Sequence, residues 1–191
     1  MGRWEPDARE RLVLAALDLF SEQGYENTAV AQIAERAGLT KSTFFRHFRD
    51  KREVLFGGQE VLTEMLGNGV AGAPEGAGPL AMVEAALVAV SAGLTEERRA
   101  HGPQRSAVIA SNPELREREA LKMVGFATAV EDALRERGVS ELDAVVAAEL
   151  GVLAFTRGYT TWLKTGGDFA EVARRQLAEV LEAVDSLQRA E

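Results

Sequence analysis

Residues 32–51 read QIAERAGLTKSTFFRHFRDK. Ile33, Ala37, Leu39 and Phe44 are the apolar positions that a helix, a sharp turn and a second helix need in order to pack together. Ala34 is small where the second helix must cross closely, and Gly38 suits the positive φ of the turn. Thr40 is placed to cap a helix running to His47. The spacing therefore predicts a helix-turn-helix, in which the second helix enters the DNA major groove. Its N-terminal residues, Thr40, Lys41, Ser42 and Thr43, then reach base edges while flanking groups hold phosphates. Phe44 and Phe48 point inward and anchor that helix.

Charge supports the same segment. Arg36, Lys41, Arg46, Arg49, Lys51 and Arg52 stand against Asp50 alone between positions 36 and 52, with His47 beside them. The whole chain carries −8, but residues 1–56 are balanced at nine Lys and Arg against nine Asp and Glu. The excess lies wholly in residues 57–191. A local cluster sets a local potential whatever the total, so a basic patch on an acidic body still attracts phosphate. Arg46 and Arg49 can equally be a solvated face.

Composition closes several other routes. With 191 residues and 46% hydrophobic residues the chain can bury a core. It has no cysteine, which removes disulfides, thiolate metal sites and cysteine nucleophiles. His47 and His101 are the two histidines and lie far apart in sequence, so no metal triad or histidine relay assembles; no metal, cofactor or enzymatic activity is expected. No apolar run approaches the ~18 residues of a membrane span. The N-terminus lacks a secretory core, so the expected location is the cytoplasm, with no membrane partner. Gly67-Asn-Gly69-Val-Ala-Gly72 matches a dinucleotide-binding pattern in letters only, since no strand precedes it.

Outward from the motif, nearly every segment has helical period and none alternates like a strand. Asp7-Ala-Arg-Glu10 reads as a capping box for a first helix that stops at Gly24, and Thr28 caps a second helix through Arg36. Asp50-Lys-Arg-Glu53 opens a fourth helix to about Leu66. Residues 67–79, with five Gly and two Pro, predict a mobile loop. Helices follow over about 80–94, after His101-Gly-Pro103, from Asn112-Pro113 to Gly138, over 140–165, and over 168–189. The expectation is an all-α chain of about nine helices. A DNA-binding domain occupies residues 1–56, helix 50–66 links the domains, and a regulatory and dimerisation domain occupies 57–191.

The run F-S-E-Q-G-Y-E-N-T, then I-A-E-R-A-G-L-T, then T-F-F-R-H-F-R-D-K-R-E-V-L closely resembles the tetracycline-repressor (TetR) family of bacterial transcription regulators over residues 8–56. The rest of the chain resembles that family in layout alone. The resemblance implies a phosphate contact from Thr28, and base or phosphate contacts from Lys41, Ser42 and Thr43. It also implies a DNA-backbone contact from His47 and a phosphate-binding lysine at Lys51. Phe45 stands where the family usually has tyrosine and lacks the hydroxyl, so it packs against sugar without a hydrogen bond. Ser42 replaces a frequent glycine.

A helix-turn-helix reads few base pairs alone, and a two-fold dimer reads two half-sites. Leu142, Val146 and Leu153 on one helix, with Phe169, Val172, Leu177, Val180, Leu181 and Val184 on the next, are the candidate homodimer surface, built as a four-helix bundle. The resemblance places dimerisation on the same two helices and implies a small-molecule effector among the middle ones. The candidate pocket residues are Val83, Leu87, Val90, Ile109, Met123, Phe126, Val130, Phe155 and Trp162, all of which also suit plain core. Arg105 and Arg157 are candidate partners for an acidic effector, or else members of ion pairs. The leading reading is a ligand-responsive repressor of a palindromic operator. The alternatives are a helical protein with small-molecule enzymatic activity and a ligand-free interaction protein.

Overall fold

Caps and glycines decide where the helices stop. In the computed structural model, which describes residues 8–189, the order is α1 (Ala8–Gln23), α2 (Val30–Arg36), α3 (Lys41–His47), α4 (Glu53–Phe56), α5 (Gln59–Ala71), α6 (Pro79–Ser91), α7 (Glu96–Ser111), α8 (Pro113–Glu136), α9 (Glu141–Thr165) and α10 (Phe169–Gln188). No strand occurs among the described residues. Counting the single turn α4 with α5, these are the nine expected helices. The cap expected at Asp7 lies outside the described residues.

Three helices start on a side-chain cap, the first of them the expected Thr40. The hydroxyls of Thr40 and Ser140 accept the N–H of Thr43 and Asp143, and the Asp168 carboxylate accepts that of Ala170. Asn112 Oδ1 accepts the Leu115 N–H just before α8, with Pro113 in the first helical position.

Three expectations fail for identifiable reasons. The helix expected over 50–66 breaks at Gly57-Gly58, where Gly58 takes φ +82 and a Cβ on Gly57 would lie 2.6 Å from the Arg9 guanidinium. The loop expected over 67–79 shrinks, because α5 continues to Ala71. Gly69 lets α5 approach α6 so closely that a Cβ there would sit 2.5 Å from Ala86 Cα. The short remainder is tied down: Arg137 donates to the carbonyls of Val70, Ala71, Ala73 and Pro74 at 2.9–3.0 Å. The third failure is at Pro103, which lies inside α7 and does not precede it. That helix starts at Glu96, with Thr95 Oγ1 accepting the Arg98 N–H and two glutamates in its first turn.

The chain forms two compact units, one of residues up to Gly58 with His101–Glu119, the other of Gln59–Ala100 with residues from Ala120 onward. Segment 101–119, which division at residue 56 would give to the second region, packs in the first unit. The reason is apolar: Val108, Ile109 and Leu115 join Leu12, Phe20, Ile33, Phe44 and Phe48 in one buried cluster. Polar contacts reinforce it. Asn112 Nδ2 donates to Glu26 Oε1 at 2.7 Å, and Arg105 Nε donates to the Leu55 carbonyl at 2.7 Å.

In the second unit, α5, α6, α9 and α10 pack around Leu66, Val83, Leu87, Phe126, Phe155 and Trp162. The α10 stripe faces inward here. Phe169, Val172, Leu177 and Val180 are buried in this core, so they are not surface for a partner. No single helix among the described residues is long and apolar enough to cross a membrane.

Candidate nucleic-acid interface

The turn between α2 and α3 follows from hydrogen bonds that only this local sequence supplies. Gly38 takes φ +66, its N–H donates to Glu35 O at 2.9 Å, and the Leu39 N–H reaches back to Ala34 O at 2.8 Å. These two bonds are the paired closure of a glycine-terminated helix. Arg11 of α1 donates to the remaining Ala37 carbonyl. Below the turn, Phe44 and Phe48 are fully buried with ring centroids 5.5 Å apart, which fixes the roll of α3.

That roll turns Lys41, Ser42, Phe45 and Arg46 outward together, with Thr43 and His47 half-buried at its flanks. The six basic residues of the segment then divide into two sets. Arg36 forks onto Glu22 at 2.8 and 3.0 Å and holds that carboxyl below its usual value through the side-chain hydrogen bond. Arg52 pairs with Asp50 at 2.8 Å. Lys51 donates to the carbonyls of Tyr25, Thr28 and Glu26 at 2.7, 3.2 and 3.3 Å, with its ammonium 4.3 Å from the centre of the Tyr25 ring. The side chains of Lys41, Ser42, Arg46, His47 and Arg49 form no hydrogen bond or ion pair among the described residues. This is a cationic, hydroxyl-bearing surface whose donors are unengaged.

The side chains of two implied DNA contacts are engaged within the protein. Lys51 has an acceptor for every ammonium hydrogen and clamps the turn between α1 and α2. Thr28 is only 2% exposed and its hydroxyl donates to Gly24 O at 2.8 Å. With that hydroxyl turned away, the cap of α2 moves to Ala29, whose N–H is taken by Gln32 Oε1 at 2.8 Å. Thr40 and Thr43 share a hydroxyl contact at 2.9 Å, so these two stiffen the start of α3. The Arg49 side chain is exposed and unengaged while its N–H donates to Glu53; charge is its only signal in the sequence.

Residues 12–56 match the family model for bacterial regulatory proteins of the tetR family. It is a tetR-family domain. The chain is 40% identical over 82 residues to the HTH-type transcriptional regulator TcmR of Streptomyces glaucescens, covering 43% of this chain and 36% of that one. The match thus spans about a third of the curated relative's length. Solved structures share the fold beyond the tetR-family domain. The SmeT–triclosan complex superposes with TM-score 0.61 at 20% identity over 93% of this chain and 91% of that one. SmeT is the repressor of the Stenotrophomonas maltophilia multidrug efflux pump SmeDEF. The Bacillus subtilis regulator FadR in complex with stearoyl-CoA gives 0.57 at 19% identity, over 89% of this chain and 96% of that one.

Outside the tetR-family domain, the second unit encloses an apolar cavity of about 10 Å³, lined by Leu66, Val83, Ala86, Leu87, Phe126, Val130, Gly151, Val152 and Phe155. Five of the expected pocket residues, Val83, Leu87, Phe126, Val130 and Phe155, line it. Val90 and Trp162 are buried in the surrounding core, the indole N–H donating to Gly167 O at 2.9 Å, and Met123 packs at its edge. Ile109 and Arg105 are not there at all, because both belong to the first unit. Arg105 is held by Leu55 O, by Glu119 at 3.0 Å and by the face of Phe56. Arg157 is half-exposed and bound to Gln176 and Glu179. Neither cation faces the cavity.

Leu142 (72% exposed), Val146 and Leu153 stand out from α9, with Leu181 and Val184 half-buried on α10. The exposed positions of α9 include Leu142, Val146, Glu149, Leu153, Thr156 and Thr160 at alternating four-three spacing, one stripe along the helix.

Proposed function

We propose that the protein is a dimeric, ligand-responsive transcription regulator, acting as a repressor in the cytoplasm, that holds duplex DNA with α3 and loses it when a small apolar molecule occupies the second unit. The carrying observation is the outer face of α3 and its flank. Lys41, Ser42, Arg46, His47 and Arg49 present unengaged donors while Phe44 and Phe48 anchor the same short helix from behind. A buried rod with an unengaged cationic outer side suits a groove lined by phosphate and base-edge acceptors. The match to TcmR, a transcriptional regulator by name, supports the same reading.

The effector reading rests on the cavity. Its walls are apolar throughout, and the two arginines considered for an acidic ligand are engaged elsewhere. A space of about 10 Å³ holds roughly one water, so any effector must bind an opened arrangement of α5, α6, α8 and α9. A ligand that binds only the opened form shifts the population toward it, which couples binding to shape. A hundredfold loss of operator affinity needs only ~2.7 kcal/mol of such coupling. The exposed α9 seam, with Leu142, Val146 and Leu153, is the proposed dimer contact.

Selection of duplexes from a random pool by the full chain, followed by binding titrations at two salt concentrations, tests the reading. One enriched palindromic site with strongly salt-dependent affinity is expected. Triclosan and stearoyl-CoA serve as first effector probes against that complex. Failure to enrich any sequence at low salt overturns the proposal.

A further inference from the structure

Phe45 is the one Phe that stays exposed among the described residues, at 50%, while Phe20, Phe44, Phe48 and Phe56 in the same unit are buried. It is not a loose side chain. Its ring stands edge-on to Phe44, centroids 5.5 Å apart at 83°, and the Lys41 ammonium lies 5.8 Å from its centre. The helix thus orients an apolar disc between Lys41 and Arg46 on the face that carries the unengaged donors. Every base edge in the major groove offers hydrogen-bond donors or acceptors, with one apolar exception, the 5-methyl group of thymine. A phenyl ring has nothing to give the donors and acceptors and suits the methyl.

We propose that Phe45 is a specificity-determining residue that reads the 5-methyl of one thymine in each half-site, with Lys41 held over its ring to reach an acceptor on a neighbouring base. This rests on the reading of α3 as the DNA-contacting helix. Burying one methyl is worth about fourfold in affinity, or ~0.8 kcal/mol, per half-site, and about sixteenfold when both half-sites contribute.

The test uses the site that the wild-type chain selects from a random duplex pool. Each thymine in turn is replaced by deoxyuridine, which lacks only the methyl, and affinity is read by fluorescence anisotropy at fixed salt. One position per half-site should lose about fourfold. The loss should vanish in Phe45→Ala and persist in Phe45→Tyr, which keeps the ring. A second measurement needs no variant: with wild-type protein, cytosine and then 5-methylcytosine at the sensitive position should differ by about the same factor. Indifference to every deoxyuridine, or a penalty that survives Phe45→Ala, overturns the inference. So does a Phe45→Ala loss that is uniform across sequences, the signature of a ring packed on sugar. Absence of any selected site overturns both this inference and the regulator reading, whereas a selected site without methyl sensitivity overturns this one alone.

Discussion

The two units bury similar kinds of side chain but specify them differently. In the first, α2 and α3 have seven residues each, and each is bounded by a cap or a positive-φ glycine. A two-turn helix has room for one inward face, so Ile33, Ala34 and Phe44 can point only one way. In the second, α9 has 25 residues, rich in Ala, Val and Leu around much of its circumference, while the 20-residue α10 carries one apolar stripe. Several faces of α9 could go inward, and the α10 stripe could meet its own domain or a partner; packing decides. Short, capped helices carry their orientation in the sequence, whereas long apolar ones acquire it from neighbours.

The largest effect should come from the anchor of the short helix. Phe44→Ala removes a fully buried ring that holds the roll of α3, and a loss of about 3–5 kcal/mol is expected. Chemical denaturation measures it, and DNA binding should disappear with it. A loss below about 1 kcal/mol would mean that the turn hydrogen bonds around Gly38, not the ring, set the geometry.

The second unit is tested by a pair of leucines. Leu177→Ala on the inward α10 stripe should cost about 2–5 kcal/mol. Leu142→Glu on the exposed α9 seam should leave the monomer's stability nearly unchanged and shift sedimentation from dimer to monomer. If Leu177→Ala dissociates the dimer and Leu142→Glu does not, the face assignment is inverted.

A middle-sized effect separates the engaged cations from the unengaged ones. Lys51→Ala strips the partner from three carbonyls and should destabilise the first unit by about 1–3 kcal/mol. Arg46→Ala should leave the melting temperature where it is and lower the salt slope of DNA binding by roughly one unit. Equal salt-slope changes with no stability loss for Lys51→Ala would return that lysine to the phosphate contacts implied by resemblance.

The same contrast explains what could be read in advance. The cap at Thr40 and the Gly38 turn are legible, because each rule concerns atoms within a few residues. Lys51 and Thr28 are not. An ammonium or hydroxyl suits a carbonyl 26 residues away as well as a phosphate, and the string does not say which is nearer. Segment 101–119 groups with the first unit where the sequence suggests a division at residue 56, because the deciding contacts, Val108, Ile109 and Leu115 within that unit's core, are long-range. The α10 stripe was read correctly as apolar and wrongly as outward, since periodicity gives a face but not what covers it.

The smallest effect concerns charge at a turn of the first unit. Burial pushes the Asp50 carboxyl up, but hydrogen bonds from the Arg52 guanidinium and from the Glu53 and Arg52 N–H groups outweigh it, so the carboxyl sits below the usual aspartate value. A carboxyl depressed in the folded state adds stability at pH above its unfolded value, and that stability is lost as pH falls through the folded one. Asp50→Asn keeps an oxygen for the two backbone N–H groups and removes only the charge facing Arg52. Because that pair is largely exposed, the difference at neutral pH should stay within about 1 kcal/mol. Urea titrations at pH 7 and pH 3 distinguish the parts: wild type should lose more stability than the variant over that interval. Parallel loss in both proteins would assign the whole effect to the backbone cap, and the turn before α4 would then be held by geometry alone, as the one before α3 is by the neutral hydroxyl of Thr40.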